Sequence, residues 1–376
     1  VALLRRGSTV VLLEADESVI EKRIAASTRP PLTTLPLREE IAALLEMRRP
    51  LYAAASDFSV DTTARSPNEV CLTIQKFLNE GTVTVHARES LVSFLSGSGI
   101  SDSDVNDARV LTDKDLWEPR TRLFAIAGSP ATQSKSPALF NRLFSRYGLF
   151  CHYLRFQDPD LSRILRLANE CDLRGMSVTI PFKQEILSAL TDIEVNADAI
   201  GAVNTVVWSG KRIYGYNTDW IGIREPLSEL RGENAVLLGA GGAAAAAVYA
   251  LLSLDMDVTI LNRTVEKAEV LATRFGCSYG PPGAFDRLNP TVVVNATSIG
   301  MEPELKSPLQ KHQLRSTMTV FDLVYTPPET PLLRIARNTG CQTIPGTEMF
   351  VRQAAAQFRH FTGIAPPLEL VRDAMP

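Results

Sequence analysis

Between Asn234 and Thr264 the chain reads NAVLLGAGGAAAAAVYALLSLDMDVTILNRT. Ala235 to Leu238 is a short apolar run that stops at Gly239-Ala240-Gly241-Gly242, and an alanine-rich segment of high helix propensity follows. A second apolar run, Val258 to Leu261, closes the pattern. Strand, glycine turn, helix and strand in that order make a βαβ unit, and the length suits one. A turn without Cβ atoms lets backbone approach a pyrophosphate, and the helix behind it offers free N–H groups and a favourable dipole. Ala243 and Ala244 are small enough to let that helix lie close on the sheet. A tight structural turn would use the same glycines, so this pattern alone leaves both readings open.

The end of the second strand narrows the choice. A site that prefers NAD usually has an acidic residue there, which accepts from the ribose 2′-OH. This chain has Asn262-Arg263-Thr264. A guanidinium between an amide and a hydroxyl suits a 2′-phosphate. The expected cofactor is therefore NADP; the plainer alternative for Arg263 is a solvated surface charge.

Towards the C-terminus the pattern continues as a Rossmann-like half. The spacing predicts a helix over Val265 to Phe275 and strands over Thr291 to Asn295 and Thr319 to Leu323. The loops Asn295 to Met301 and Asp322 to Pro327 lie at the carboxyl ends of strands, where ligands of open α/β sheets bind. A last helix, Glu348 to Phe361, carries Gln353.

Upstream, Leu123 to Ala127 reads as a strand, and the loop after it holds Ser134-Lys135-Ser136-Pro137. The helix Ala138 to Tyr147 begins just past this proline. Ser134 and Ser136 could offer hydroxyls to a carboxylate or a polyol, or simply cap that helix. A strand at Cys151 to Phe156 and a helix at Pro159 to Asn169 come next. Gly175 to Lys183 then forms an apolar strand that ends in a proline and delivers Lys183. Ala199 to Trp208 reads as a β-branched strand with one amide, Asn204, in an apolar frame. A buried Asn must find partners, so Asn204 is either a ligand contact or a satisfied turn amide. Lys211 to Tyr216 pairs with that strand as a hairpin, and Asp219 opens a helix from Trp220 to Leu230.

Residues 1–81 alternate strand and helix: Thr9 to Glu14, Glu17 to Ala26, Leu37 to Arg48, Phe58 to Val60 and Asn68 to Asn79. Residues 82–120 read as a linker, rich in small and acidic residues at GSGISDSDVND.

Composition bounds the rest. The chain has 376 residues, enough for two or three domains. A net charge of −3 argues against nucleic acid or an anionic membrane as main partner. No apolar run reaches the ~18 residues of a membrane span, and the first residues are not those of a signal peptide. Five scattered cysteines and four histidines give no CxxC and no metal-ligand spacing, so a reducing, cytoplasmic compartment is expected, with no metal. A plastid stays open, as does the chain being a piece of a larger multifunctional polypeptide, since it begins with Val1 rather than Met.

The runs SKSP, SVTIPFK, AIGAVNT, GYNTDWIG, GAGGAA, NRT, NATSIGM, DLVYTPPETPLL and GTEMFVRQAAAQFRHFTG occur in the order found in shikimate dehydrogenases. Residues 122–376 resemble that family, and the closing run is most similar to the plant-type form fused to a dehydroquinase. RPPLT and MRRPLYAAASDFSVDT resemble the second half of shikimate kinase, with Arg29 as the lid residue and Arg48 as a holder of shikimate. No GxxxxGK[ST] run occurs, so kinase activity is not expected from this chain alone. That segment is either half a kinase or a remnant serving as a scaffold. About forty residues separate it from the dehydrogenase-like part, too few for a dehydroquinase barrel.

The resemblance implies an α/β fold: a two-domain shikimate dehydrogenase with a Rossmann-like NADP domain, preceded by a partial P-loop kinase-like segment. It divides the chain into 1–81 kinase-like, 82–120 linker, 121–231 substrate-binding, 232–345 NADP-binding and 346–376 a closing helix. Lys183 and Asp219 match the catalytic pair, and Ser134, Ser136, Thr179, Asn204, Tyr325 and Gln353 match positions that grip substrate. Gly239, Ala240, Gly241, Gly242, Ala243, Asn262, Arg263, Thr264, Thr297, Gly346 and Met349 match the cofactor site. Two residues depart from the family pattern: Ala245 stands where an arginine is frequent, and Phe350 where bacterial forms have leucine. The implied activity is NADP-dependent interconversion of 3-dehydroshikimate and shikimate. A quinate-oxidising relative and a non-catalytic sensor or repressor built from pathway domains are the alternatives.

Overall fold

The computed structural model describes residues 10–25, 35–56, 58–80, 122–132, 134–303 and 305–376. The expected linker 82–120 and Arg29 lie outside the described residues. The chain forms two compact units: Val1–Asp192, Thr205–Gly215 and Gln357–Pro376 in the first, Ile193–Asn204 and Tyr216–Ala356 in the second.

The first unit holds two sheets. In the smaller, β1 (Val11–Glu14) pairs in parallel with β2 (Phe58–Asp61). Helices α1 (Glu17–Ala25), α2 (Leu37–Ala55) and α3 (Pro67–Glu80) accompany it. Helix α3 begins at a proline, and Ser66 and Glu69 cap it reciprocally: the Ser66 N–H donates to Glu69 Oε2 and the Glu69 N–H to Ser66 Oγ.

The larger sheet comprises β3 (Arg122–Gly128), β4 (Cys151–Gln157), β5 (Gly175–Val178), β6 (Asp192–Ile193), β7 (Thr205–Ser209) and β8 (Arg212–Tyr216), in the order β4-β3-β5-β7-β8-β6. β3 runs parallel to β4 and β5, whereas β5 and β7 are antiparallel. The crossovers carry α4 (Ser136–Arg146) and α5 (Leu161–Glu170). Asp160 caps α5 by accepting from the Ser162 N–H, and Leu161, Ile164, Leu167 and Ala168 bury one helical face. The core is aromatic: Phe361 stands 5.1 Å from Phe124 and 5.7 Å from Phe140, and Phe140 stacks on Tyr153 at 4.6 Å. Gly175 is required here, since a Cβ would lie 2.5 Å from the Phe361 ring. A buried polar chain crosses this core: Tyr153 donates to Ser177, Ser177 to Gln357, and Gln357 to Thr205.

The second unit holds six parallel strands: β9 (Asn234–Leu238), β10 (Asp257–Leu261), β11 (Ser278–Gly280), β12 (Val292–Asn295), β13 (Thr319–Asp322) and β14 (Gln342–Ile344). Their order, β11-β10-β9-β12-β13-β14, is that of a dinucleotide-binding fold, with the switch point between β9 and β12. Helices α6 (Val195–Ile200), α7 (Asp219–Arg224), α8 (Ala244–Leu252), α9 (Val265–Phe275) and α10 (Pro331–Thr339) belong to it. Both faces of the sheet are covered, so the strands are almost wholly apolar. Along β12, Val292 and Val294 join the cluster with Leu237, Ile260 and α8, while Val293 joins the one with Val236, Val320 and α10. Helix α11 (Gly346–Thr362) belongs to the second unit up to Ala356 and to the first from Gln357, and α12 (Leu368–Asp373) closes the chain.

Three expectations need correction. Ala199 to Trp208 is not one strand: α6 ends at Ile200 on Gly201, whose φ of +65° is a left-handed cap, and β7 begins only at Thr205. The Arg274 guanidinium fills the place of a Gly201 side chain and donates to Ala199 O, which fixes the helical end. Strand β5 stops at Val178 rather than running to Lys183, because Thr179 to Phe182 form a turn in which the Phe182 N–H donates to Thr179 O. Trp220 to Leu230 is a short α-helix followed by a 3₁₀ turn, Glu225–Leu230, with Pro226 in its first turn.

Candidate functional site

In the first unit, four of the expected residues lie on two neighbouring loops. Strands β3 and β5 are adjacent and parallel, so the loops leaving their carboxyl ends are neighbours. The Ser129 N–H donates to Ile180 O at 3.0 Å, tying one loop to the other. Gly128 permits this approach, since a Cβ there would collide with the Thr179 side chain. Arg155 donates to Thr132 O and Ser134 O and holds the serine loop to β4. Ser134 Oγ accepts from the Ser136 N–H at 3.2 Å, and Ser136 is buried in the first turn of α4. Ser134 is not the N-cap: that position is Lys135, which makes no side-chain cap bond, and the Ser134 hydroxyl hydrogen is still available to a ligand. Thr179 and Lys183 are half-buried, on the turn after β5.

In the second unit the expected residues form a connected set. Asn204 Nδ2 donates to Asp219 Oδ1 at 2.8 Å and to Thr218 Oγ1 at 3.0 Å, and its Oδ1 accepts from the Thr218 N–H. Asn217 accepts from the Asp219 N–H and donates to Ala202 O. Asn204 is therefore a satisfied turn amide whose partner is the expected catalytic carboxylate. Asn217 and Thr218 were not singled out from sequence, although both stand in the GYNTD run.

Gly222 seats α7 against the start of α11, where a Cβ would lie 2.6 Å from Met349 O. Gly346 packs likewise, with a Cβ position 2.5 Å from Val324 O, so α11 abuts the loop that carries Tyr325. The Tyr325 ring stacks on Phe350 at 5.0 Å. Burial pushes the Tyr325 hydroxyl above its ordinary pKa, and the nearby Asp219 charge adds to that. Gln353, one turn beyond Met349, is buried and donates to Phe350 O.

The glycine turn lies at the switch point. Gly239 has φ +106°, and its N–H donates to Leu261 O at 2.8 Å. Gly241 and Gly242 are exposed, nothing stands within 4 Å of a Cβ position on Gly241, and Ala243 caps α8 without a side-chain bond. Ala240 and Ala243 are half-buried against the core below. After β10, Asn262 donates to Thr264 O, and Arg263 and Thr264 are exposed. Ala245 is buried, packed with Ala246 against Ile200 and Ala202.

Thr297 belongs to a buried network that sequence reasoning missed. Asn295 Oδ1 accepts from the Thr297 N–H and hydroxyl, while Asn295 Nδ2 donates to Asp322 Oδ1. Asp322 also accepts from Thr330 at 2.6 Å and from the Val324 N–H. It is fully buried. Burial pushes its carboxyl up to about 6, against those hydrogen bonds. The folded chain therefore holds this proton more tightly than an unfolded chain, whose aspartates titrate near 3.9. The sign follows: Asp322 favours folding as pH falls from about 6 to about 4, and its ionised form costs about 3 kcal/mol above that window. Asp322→Asn keeps an oxygen for Asn295 and Val324, and the Thr330 hydroxyl turns to accept. Urea unfolding from pH 4 to 7 should show a flatter stability profile for this variant; an unchanged slope would clear Asp322 as its source.

Among the described residues no group of His, Cys, Asp and Glu could hold a metal, and no helix is long and apolar enough to cross a membrane. None of the five cysteines is in a disulfide.

Comparison with known proteins accords with this arrangement. Residues 126–206 match the shikimate dehydrogenase substrate binding domain, 223–296 the shikimate / quinate 5-dehydrogenase family and 346–375 the shikimate 5'-dehydrogenase C-terminal domain. Residues 1–79 match shikimate kinase. The shikimate dehydrogenase (NADP(+)) of Pyrococcus furiosus is 38% identical over 258 residues, covering 67% of this chain and 94% of the relative. The chloroplastic bifunctional 3-dehydroquinate dehydratase/shikimate dehydrogenase of Arabidopsis thaliana is 34% identical over 308 residues, covering 74% of this chain and 51% of that protein. The crystal structure of the Thermus thermophilus shikimate 5-dehydrogenase with NADP(H) and shikimate superposes with a TM-score of 0.63 at 34% identity, over 67% of this chain and 98% of that one. With its dinucleotide-binding strand order and its spans of 94% and 98% of the Pyrococcus and Thermus proteins, the chain belongs to the shikimate dehydrogenase family.

Proposed function

We propose that this chain catalyses the reversible, NADP-dependent reduction of 3-dehydroshikimate to shikimate in a cytoplasmic setting. The observation that carries the reading is the match to NADP-dependent shikimate dehydrogenases over nearly their whole length. The glycine turn fits the cofactor: open space at Gly241 and uncapped N–H groups at the start of α8 suit a pyrophosphate. Arg263 and Thr264, both exposed beside it in sequence order after β10, are the residues for a 2′-phosphate, with Ala245 leaving more of that task to Arg263. Thr297, Gly346 and Met349 complete the cofactor set. NADPH supplies the hydride for the ketone carbon.

The remaining work falls to side chains. As the oxygen gains charge, the Lys183 ammonium stabilises it and donates a proton towards it. Asp219, held by Asn204, accepts from a ring hydroxyl of the substrate. Ser134, Ser136, Thr179, Tyr325 and Gln353 hold the carboxylate and the other hydroxyls.

The test is NADP⁺ reduction followed at 340 nm with shikimate, with NAD⁺ and quinate in parallel. Turnover confined to shikimate with NADP⁺ is expected. Turnover with quinate instead would move the chain to the quinate-oxidising branch, and tight shikimate binding without any turnover would make it a sensor.

A further inference from the structure

The N-terminal segment has no P-loop, yet its side chains grip one feature of the first unit, the hairpin β7–β8. Ser209 Oγ donates to Glu14 Oε1 at 3.2 Å. At the turn, Gly210 has φ +58° and approaches so closely that a Cβ would lie 2.7 Å from Glu14 Oε2 and 2.9 Å from Ser59 Oγ. The next residue, Lys211, adds its charge to the Thr63 hydrogen bonds that hold the Asp61 carboxyl below its ordinary range. Arg174, just before β5, donates to Ser56 O at 3.1 Å.

Helix α2 packs across β7. Its Arg49 is mostly covered, pairs with Glu17 at 3.7 Å and lies near Tyr214 of β8. Arg212, on the same strand, pairs with Asp192 at 3.5 Å. The residues of the N-terminal segment that meet the hairpin come from β1, β2 and α2, so the grip does not depend on a single element.

The open end of the same hairpin carries the chemistry. Asn204 immediately precedes β7, and Asn217, Thr218 and Asp219 immediately follow β8. The Asn204 N–H donates to Tyr216 O at 3.0 Å, which closes the ladder at that end. Within the six-stranded sheet β7 pairs with β5 through Thr205–Val207, so the turn Ser209–Lys211 extends past that ladder. Fixing this tip limits the hairpin twisting that would otherwise reach the Asn204–Asp219 hydrogen bond.

We propose that the N-terminal segment is a clamp for the dehydrogenase: it holds the tip of the β7–β8 hairpin and thereby positions Asn204 and Asp219 for the substrate. Glu14, Arg49, Ser209 and Lys211 are positioning residues in this account. The kinetic half of the proposal rests on the dehydrogenase reading above; the structural half does not.

The test uses the full chain with Glu14→Lys and Arg49→Glu combined, which places a cation against the Ser209–Lys211 turn and an anion beside Glu17. Hydrogen exchange of the amides from 205 to 216 is measured beside steady-state kinetics. Exchange at the hairpin tip should quicken about tenfold, and KM for shikimate should rise about five- to tenfold, with KM for NADP⁺ within about twofold of the unaltered chain. Glu14→Gln, which still accepts from Ser209, should restore the hairpin's protection. Should the double variant fail to fold, Ser209→Ala is read by the same two measurements, with the same directions expected. A quickened hairpin with an unchanged KM for shikimate overturns the positioning role, and unchanged exchange overturns the clamp itself. If the unaltered chain turns over no shikimate, the dehydrogenase reading fails while the exchange measurement still decides whether the hairpin is clamped.

Discussion

Lys183→Ala should leave a folded chain that binds shikimate with little change yet turns it over about 10²- to 10⁴-fold more slowly. The lysine stands on the turn after β5, past the cis Ile180–Pro181 bond, and is half-buried rather than waving in solvent. Phe182 beside it is buried, so the backbone that delivers the ammonium is anchored in the core. Losing a group that acts mainly on the developing alkoxide lowers kcat more than it raises KM. Truncation there creates no core cavity, so melting should move little. The decisive comparison is kcat and KM for shikimate at saturating NADP⁺. A kcat within about threefold of the unaltered chain would remove Lys183 from the chemistry and leave the proton to another group.

Much of this arrangement was legible because it is written locally. The triple valine of β12, the glycine turn and the alanine helix each specify their element with residues a few positions apart, and the parallel sheet follows once three such units are strung together. The loop residues were legible for a related reason, since Ser134, Thr179, Thr297 and Tyr325 all sit just past strand ends.

The failures share the opposite property. Ala199 and Ile200 look like strand by their β-branched neighbours, but the left-handed Gly201 beneath Arg274 is a tertiary arrangement with no period. Asp322, opening the DLVYTPP run, has the look of a turn residue; only the fold brings Asn295 and Thr330 onto it. The contact between Glu14 and Ser209 spans 195 residues of sequence and leaves no local trace in either. Phe350 stands where bacterial forms have leucine, and its stacking on Tyr325 becomes visible only when α11 meets the β13 loop.

Gly239→Ala and Gly241→Ala, two changes of one methyl group two residues apart, should fail in different ways. At Gly239 the backbone has φ +106°, a region that costs a side-chain-bearing residue about 1–3 kcal/mol. The added carbon would also stand 2.9 Å from Thr297 Cγ2 and 3.1 Å from the Ala296 carbonyl. That carbonyl belongs to the backbone leaving β12 and cannot swing aside as a side-chain tip would. The ends of β9 and β12 must then separate at the switch point, so Gly239→Ala should lower Tm by several degrees and weaken NADP together with stability. At Gly241 nothing stands within 4 Å of the new methyl group and the backbone needs no positive φ. The fold should therefore tolerate Gly241→Ala with an unchanged Tm. If the turn exists so that backbone can approach a pyrophosphate, that methyl group occupies the approach, and the Kd for NADP should rise at least about tenfold, or about 1.4 kcal/mol. An unchanged Kd in Gly241→Ala would mean that the open face of the turn is not where the cofactor's phosphates lie, and the glycines would then be serving the sheet alone.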